Sequence, residues 1–325
     1  MNNYLKKIAK FFMLILMVAF FQACSVKIPI DSPIESENSF TSDTKSEQIN
    51  FIFQNDLGKN HNVSTGKQTE VFILEHNNEK IDGANYIKNA LIKEIKARKI
   101  PLVFTDDSNK KLHFEHFEII THRTSGYSPL VTISTLGMSV KDSNEKKKFI
   151  SVVKRGKVPI WSMGEVSEPC YNEPMTLLVK EIVAKLNKVY FGYKLSDDEV
   201  ENIKNKITNE KHTKSTYLDV YELGFSNNNK ALDFIKNLAV SNDEYIRLAA
   251  ISSIGILGNS KDFSFLVALN KNSKLWQDRA MALKSIGDLD TKESRDYLIE
   301  RKSFWQGKTT RDAIWNLKII DLYIN

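Results

Sequence analysis

Three arginines, Arg247, Arg279 and Arg311, stand 32 residues apart. Ile254-Gly255 and Ile286-Gly287 keep that spacing, Leu223-Gly224 lies one residue short of it upstream, and Ile251, Leu283 and Trp315 follow their arginines at a constant offset. Self-similarity with a period of roughly 20–50 residues constrains a fold more tightly than any local pattern. Each unit is a short supersecondary element that cannot bury its apolar face alone, so neighbours must stack into a continuous core. Ala250 and Ala282 occupy the small position at which helices approach closely; Ile314 stands there in the last unit and Ile319 replaces its glycine, as in a divergent end cap. Gly255, Gly258 and Gly287 are expected to end helices. The arginines are expected to bind carboxylates of adjacent units as a ladder. Trp276, Trp305 and Trp315 read as core or cap aromatics, and Trp305, in the polar run Trp-Gln-Gly-Lys-Thr-Thr, is a candidate partner contact.

Tyr245–Gly258 and Asp278–Asp288 both contain Arg-x-x-Ala-x-x-x-Ile-Gly. This resembles the HEAT-like (PBS-lyase type) repeat, with a match of about 110 residues in three to four units. The resemblance implies an all-α HEAT-like solenoid over 196–325 whose extended surface binds protein partners. Capping boxes are expected at Ser196 with Glu199, Ser241 with Glu244 and Asp290 with Glu293, because the reciprocal bonds satisfy two orphan backbone donors at once.

Upstream, over 49–195, strand and helix signals alternate. Ile49–Phe53, Glu70–Glu75 and Ile100–Phe104 read as short strands, the last entered through Pro101 and therefore at an edge or a strand end. Asp82 opens a helix with Ile87, Leu91 and Ile95 on one stripe. Leu112–His122, Leu130–Val140 and Lys147–Lys154 are separated by turn residues and read as an antiparallel meander. A second helix starts near Glu173-Pro174, with Leu178, Ile182, Leu186, Val189 and Tyr190 on its stripe. The expected fold is an α+β domain: an antiparallel sheet with two helices on one face. The order of elements resembles the YajG-like and LpoB-like envelope lipoprotein domains, which implies regulation of a cell-wall (peptidoglycan) enzyme as an alternative role.

The chain opens with Lys6, Lys7 and Lys10, then eleven apolar residues from Phe11 to Phe21, then Gln22-Ala23-Cys24. Eleven apolar residues are too few for a bilayer, which needs about 20; the pattern is that of a secretory signal peptide. A cysteine directly after a small residue resembles the bacterial lipoprotein signal. This implies removal of 1–23, lipidation of Cys24, and, with Ser25 next, an outer-membrane address facing the periplasm. Loss of the three leader lysines takes the formal net charge from +6 to +3, too small an imbalance to argue for nucleic acid. Residues 24–48 are polar and are expected to form a flexible tether. Cys170, left without an intramolecular partner, is expected to be a buried or half-buried thiol.

No catalytic motif stands out, and neither a cofactor nor a metal site is expected. His116, Glu118 and His122 would share one strand face with His113 and Glu115 on the other, which reads as a solvated sheet face. Glu165, Glu168, Cys170 and Glu173 cluster at the domain junction, the place an enzyme site would occupy. Lys146, Lys147, Lys148, Lys154, Arg155 and Lys157 would form a basic hairpin, either a lysine-protected edge or a contact for anionic lipid or glycan. The leading expectation is a non-enzymatic envelope lipoprotein that scaffolds an envelope protein complex through its helical repeats, anchored to the membrane through Cys24.

Overall fold

The computed structural model describes residues 26–324 apart from 43–45, 59–60, 68–71, 126, 143–144, 161, 163 and 210–212. The leader 1–23 and Cys24 lie outside the described residues. The first half of the chain carries β1 (Val26–Pro29), β2 (Ile49–Asn55), β3 (Ser64–Lys67), β4 (Phe72–His76), β5 (Glu79–Lys80), α1 (Gly83–Ala97), β6 (Leu102–Phe104), β7 (Lys111–His122), β8 (Leu130–Asp142) and β9 (Glu145–Lys157). A helical turn α2 (Gly164–Ser167) then runs through a π turn, Glu168–Asn172, into α3 (Glu173–Tyr190).

The main sheet has the order β6-β2-β7-β8-β9, with β3 beside β7; a small sheet holds β1-β4-β5. The main sheet is mixed, which corrects the expected antiparallel one. β2 runs parallel to both β6 and β7, and β3 parallel to β7. The reason is connectivity: α1 lies between β2 and β6, and a helical crossover returns the chain parallel. Only β7, β8 and β9 form the antiparallel meander. A bulge at Glu115, between Phe114 and His116, shifts the alternation. Buried residues accordingly run Leu112, Phe114, then Phe117 and Ile119, so His113 lies on the same side as His116 and Glu118 instead of opposite them.

Residues 26–42 are not a tether. β1 adds a parallel strand to β4, and Ile28, Ile30 and Phe40 are buried in the core. The Ser36 backbone N–H and hydroxyl donate to Glu94 at 2.8 and 2.6 Å, and Arg98 donates to the Asn38 carbonyl at 2.8 Å. The apolar alternation Val26, Ile28, Ile30 supplies the burial that the polar composition of the segment conceals.

From Asp197 all described elements are helical: α4 (Asp197–Asn209), α5 (Thr216–Phe225), α6 (Leu232–Leu238), α7 (Glu244–Leu257), α8 (Phe263–Asn272), α9 (Trp276–Asp288), α10 (Lys292–Trp305) and α11 (Arg311–Ile324), with two short 3-10 turns. α5, α7, α9 and α11 pack each on the next, while α6, α8 and α10 lie against α7, α9 and α11. The box at Ser196 is reciprocal: Ser196 N–H donates to Glu199 at 2.8 Å and Glu199 N–H to the Ser196 hydroxyl at 3.2 Å. The other two caps are displaced. Asp243, not Ser241, caps α7. Thr291 with Ser294 caps α10, because Asp290 takes a left-handed φ of 50° that closes the preceding turn.

Contacts between successive units recur with the period. Ser253 donates to the Val220 carbonyl and Ser285 to the Ile251 carbonyl. Arg247 pairs with Asp278 at 2.8 Å and Arg279 with Asp312, while Arg311 is exposed. Gly258 caps α7, but Gly255 and Gly287 lie inside helices rather than ending them. A Cβ on Gly255 would stand 2.6 Å from the Ser285 Cα, so the glycine sets how closely α7 and α9 approach. Gly255→Ala is therefore expected to cost about 1–3 kcal/mol through overpacking, in spite of the better helix propensity of alanine. A urea unfolding curve checks this; an unchanged or raised midpoint would mean that the two helices can separate freely.

Candidate functional site: a charged seam and the cleft beside it

The edge strand of the main sheet, β9, turns its free side toward the helical half. An open edge invites pairing with other chains, and here it is covered from within. Lys185 of α3 donates to the Ile150 carbonyl and Tyr245 of α7 to the Gly156 carbonyl, the latter at 3.0 Å. Buried on both faces, Phe149–Val153 packs between α3 and the helices α9 and α11. Apolar residues from both halves form one continuous core.

This geometry redistributes the predicted basic hairpin. Lys154 pairs with Glu244 of α7. Arg155 is buried; its guanidinium lies 4.2 Å from the Tyr217 ring centroid and 4.0 Å from that of Tyr245, and it pairs with Glu173 at 2.8 Å. Burial opposes the Arg155 charge, but the facing oxygens of Tyr217 and Glu173 outweigh it and hold the pKa above its usual value. Lys157 is half-buried at the strand end. Lys154 and Arg155 therefore fasten the two halves together and are not presented to a lipid or glycan.

Deeper in the seam lies an ion network that sequence reasoning missed. Lys284 of α9, fully buried, contacts Glu181 of α3 at 2.5 Å and Asp288 at 2.7 Å. Lys185 joins the same two carboxylates at 2.7 and 2.6 Å. Ser151 donates to Glu181 and Tyr323 to Asp288, both at 2.7 Å, and Lys284 donates to Ser252 at 2.7 Å. Two cations thus meet two carboxylates. Burial alone would lower the Lys284 pKa and raise that of Asp288; the opposite charges win in both cases, leaving Lys284 raised and Asp288 lowered. A signal existed: Lys284 is in repeat register with Ser252 and Asn316, both buried, so a lysine stands in a core column.

Beside this network opens a cleft of about 710 Å³ at the seam. Lys146, Lys147 and Lys148 line it from the start of β9, Lys185 and Lys188 from α3, and Arg295 from α10. These six cations meet three carboxylates in the lining, Glu145, Asp288 and Asp290. Lys147 pairs with Asp290 at 3.3 Å, and Arg295 with Asp290 and Glu145. The Lys148 ammonium donates to the Leu322 carbonyl at 3.0 Å; burial and then the neighbouring Lys146 lower its pKa. Lys188 has an exposed stem, but its ammonium is tucked against the end of α7, where it donates to the carbonyls of Ile256 and Gly258 at 2.5 and 3.3 Å. A cation there complements the helix dipole, while desolvation lowers its pKa.

Of the remaining candidates, His116 and Glu118 share a small cleft of about 270 Å³ with Trp315 and Lys318, and the others lie apart from it. Trp305 is half-buried and sits edge-on to exposed Phe304, with Arg301 and Lys308 over both rings. His113 pairs with Asp56 at 2.7 Å, His116 meets the Thr135 hydroxyl at 2.7 Å, and Glu118 accepts from Thr65. Glu173 is occupied by Arg155 and Tyr217, and Glu168 is exposed and accepts from Asn172. Burial pushes the Cys170 thiol up to about 12, which keeps it protonated at neutral pH. None of the four junction residues lines the cleft at the seam. Among the described residues no helix is long and apolar enough to cross a membrane. No family model, curated protein or solved structure matches this chain.

Proposed function

We propose that the protein is a membrane-anchored envelope lipoprotein, lipidated at Cys24, that acts as a non-enzymatic adaptor in the outer membrane facing the periplasm, through a HEAT-like solenoid formed by its helical half. The observation that carries the adaptor reading is the recurrence of inter-unit contacts with the sequence period: Ser253 and Ser285 each bond a carbonyl of the preceding unit, and Arg247 and Arg279 each pair with an aspartate of the next. Stacked units of this kind expose extended surfaces suited to protein partners. Here α9 and α11 of the inner row, α5, α7, α9 and α11, lie against the chain's own β9. The surface left for a partner is therefore the outer row, α6, α8 and α10, ending in the Phe304–Trp305 cluster.

The test is crosslinking in vivo, then purification of the full chain from membranes, with Cys24→Ala and Phe304→Ala as variants. A defined set of envelope proteins is expected with the native chain. It should be lost with Cys24→Ala and reduced severalfold with Phe304→Ala at unchanged abundance. Recovery of the same set with Cys24→Ala would refute the anchored reading; recovery of no protein partner would refute the adaptor reading.

A further inference from the structure

We infer that the cleft at the seam is a binding site for a phosphate-bearing ligand with an apolar body. The inference does not rest on the adaptor reading, since the cleft lies at the seam, where α10 meets β9 and α3, and only the residues that line it are used. Three observations carry it. The first is size: about 710 Å³ falls in the range of small-molecule sites, roughly 300–1,000 Å³. The second is charge. Cations outnumber carboxylates in the lining two to one, although Lys146 and Lys185 also pair with Glu115 and Glu181 outside it, and the Lys188 ammonium donates to backbone carbonyls while Asp288 and Asp262 act on it only through space. A helix C-terminus stabilises that cation but does not consume its third N–H donor. Lys188 comes from α3 of the sheet half and Arg295 from α10 of the helical half, so the two halves both contribute cations to the lining.

The third observation is the apolar part of the lining. Val189, Leu298 and Ile299 line it, and Ile299 is 54 % exposed while Val189 is 40 % exposed. Exposed aliphatic side chains next to a cationic floor fit a ligand with one polyanionic and one apolar end. A phosphate suits lysines that act as point charges on flexible stems, together with an arginine that can present two parallel donors. Burial lowers the pKa of Lys148 and Lys188; an entering anion would restore the charge these groups are inclined to lose. The same chemistry is found in a lipid headgroup and in a soluble phosphate ester, and the experiment separates the two.

The full chain in non-ionic detergent is titrated calorimetrically with three probes: dihexanoylphosphatidylglycerol below its micellar concentration, glycerol phosphate, and a polyglutamate peptide. The titrations are repeated on Lys147→Gln/Lys188→Gln and on a charge-matched control, Lys80→Gln/Lys214→Gln, whose lysines are exposed and do not line the cleft. Thermal melts establish that both double variants remain folded. A phosphate probe should bind the native chain and the control alike, and at least tenfold more weakly the cleft variant. Tighter binding of the phospholipid than of glycerol phosphate would support the inference with a lipid as the source; equal binding of both would support it with a soluble ester as the source. Binding of neither phosphate, binding indifferent to Lys147 and Lys188, or binding of polyglutamate alone would overturn it.

Discussion

Replacing Lys284 with methionine is expected to destabilise the protein by about 3–5 kcal/mol and to lower its thermal midpoint by roughly 10 °C. The substitution leaves Glu181 and Asp288, both fully or nearly fully buried, with only Lys185 as a counter-charge. The cost is that of an uncompensated buried charge, not the worth of one ion pair, and it can be recognised as such. Adding Glu181→Met restores the balance of one cation and one carboxylate and should recover part of the loss. If the single variant loses less than about 1 kcal/mol, the network does not hold the halves together.

The same network sets a pH window. Asp288 is held below its unfolded value, so its contribution is present above about pH 4 and disappears as pH falls through the folded pKa. Lys284 is held above its unfolded value, so its contribution is full below about pH 10 and is lost as pH rises through the folded pKa. Unfolding free energies measured between those limits should show a plateau from this network, and Lys284→Met should flatten both shoulders.

Arg155→Ala is expected to cost about 3 kcal/mol. It removes the partner of Glu173 and two cation–π contacts, each worth about 0.5–2 kcal/mol. Arg155→Lys should recover only a fraction, because an ammonium cannot stack flat between Tyr217 and Tyr245 while bonding Glu173. Urea unfolding of the three chains checks the order native, lysine, alanine. A lysine variant as stable as the native protein would mean that Arg155 acts through charge alone.

Much of the architecture could be read from the residues because its signals are local or periodic. The 32-residue spacing located the helical half, and the stripe from Leu178 to Val189 located α3. What could not be read depends on pairing across long sequence distances. β2 neighbours β7 because α1 intervenes, and nothing inside Ile49–Asn55 records that partner. The polar composition of 26–42 hid an alternating apolar stretch whose burial depends on β4 and on α3, which lies far along the chain. The hairpin cations show the same limit most clearly. Lys154 meets Glu244 across 90 positions of sequence, and Lys284 meets Glu181 across a similar gap. Read alone, Lys146–Lys157 is a solvated basic prong; in the fold, Lys154 and Arg155 become a fastening and Lys146, Lys147 and Lys148 become a cleft wall.

The sheet half and the helical half form one body, welded along β9. Differential scanning calorimetry of the full chain tests it most directly. A single transition is expected, with calorimetric and van't Hoff enthalpies that agree. Two resolved transitions, with the helical half melting apart from the sheet half, would contradict it.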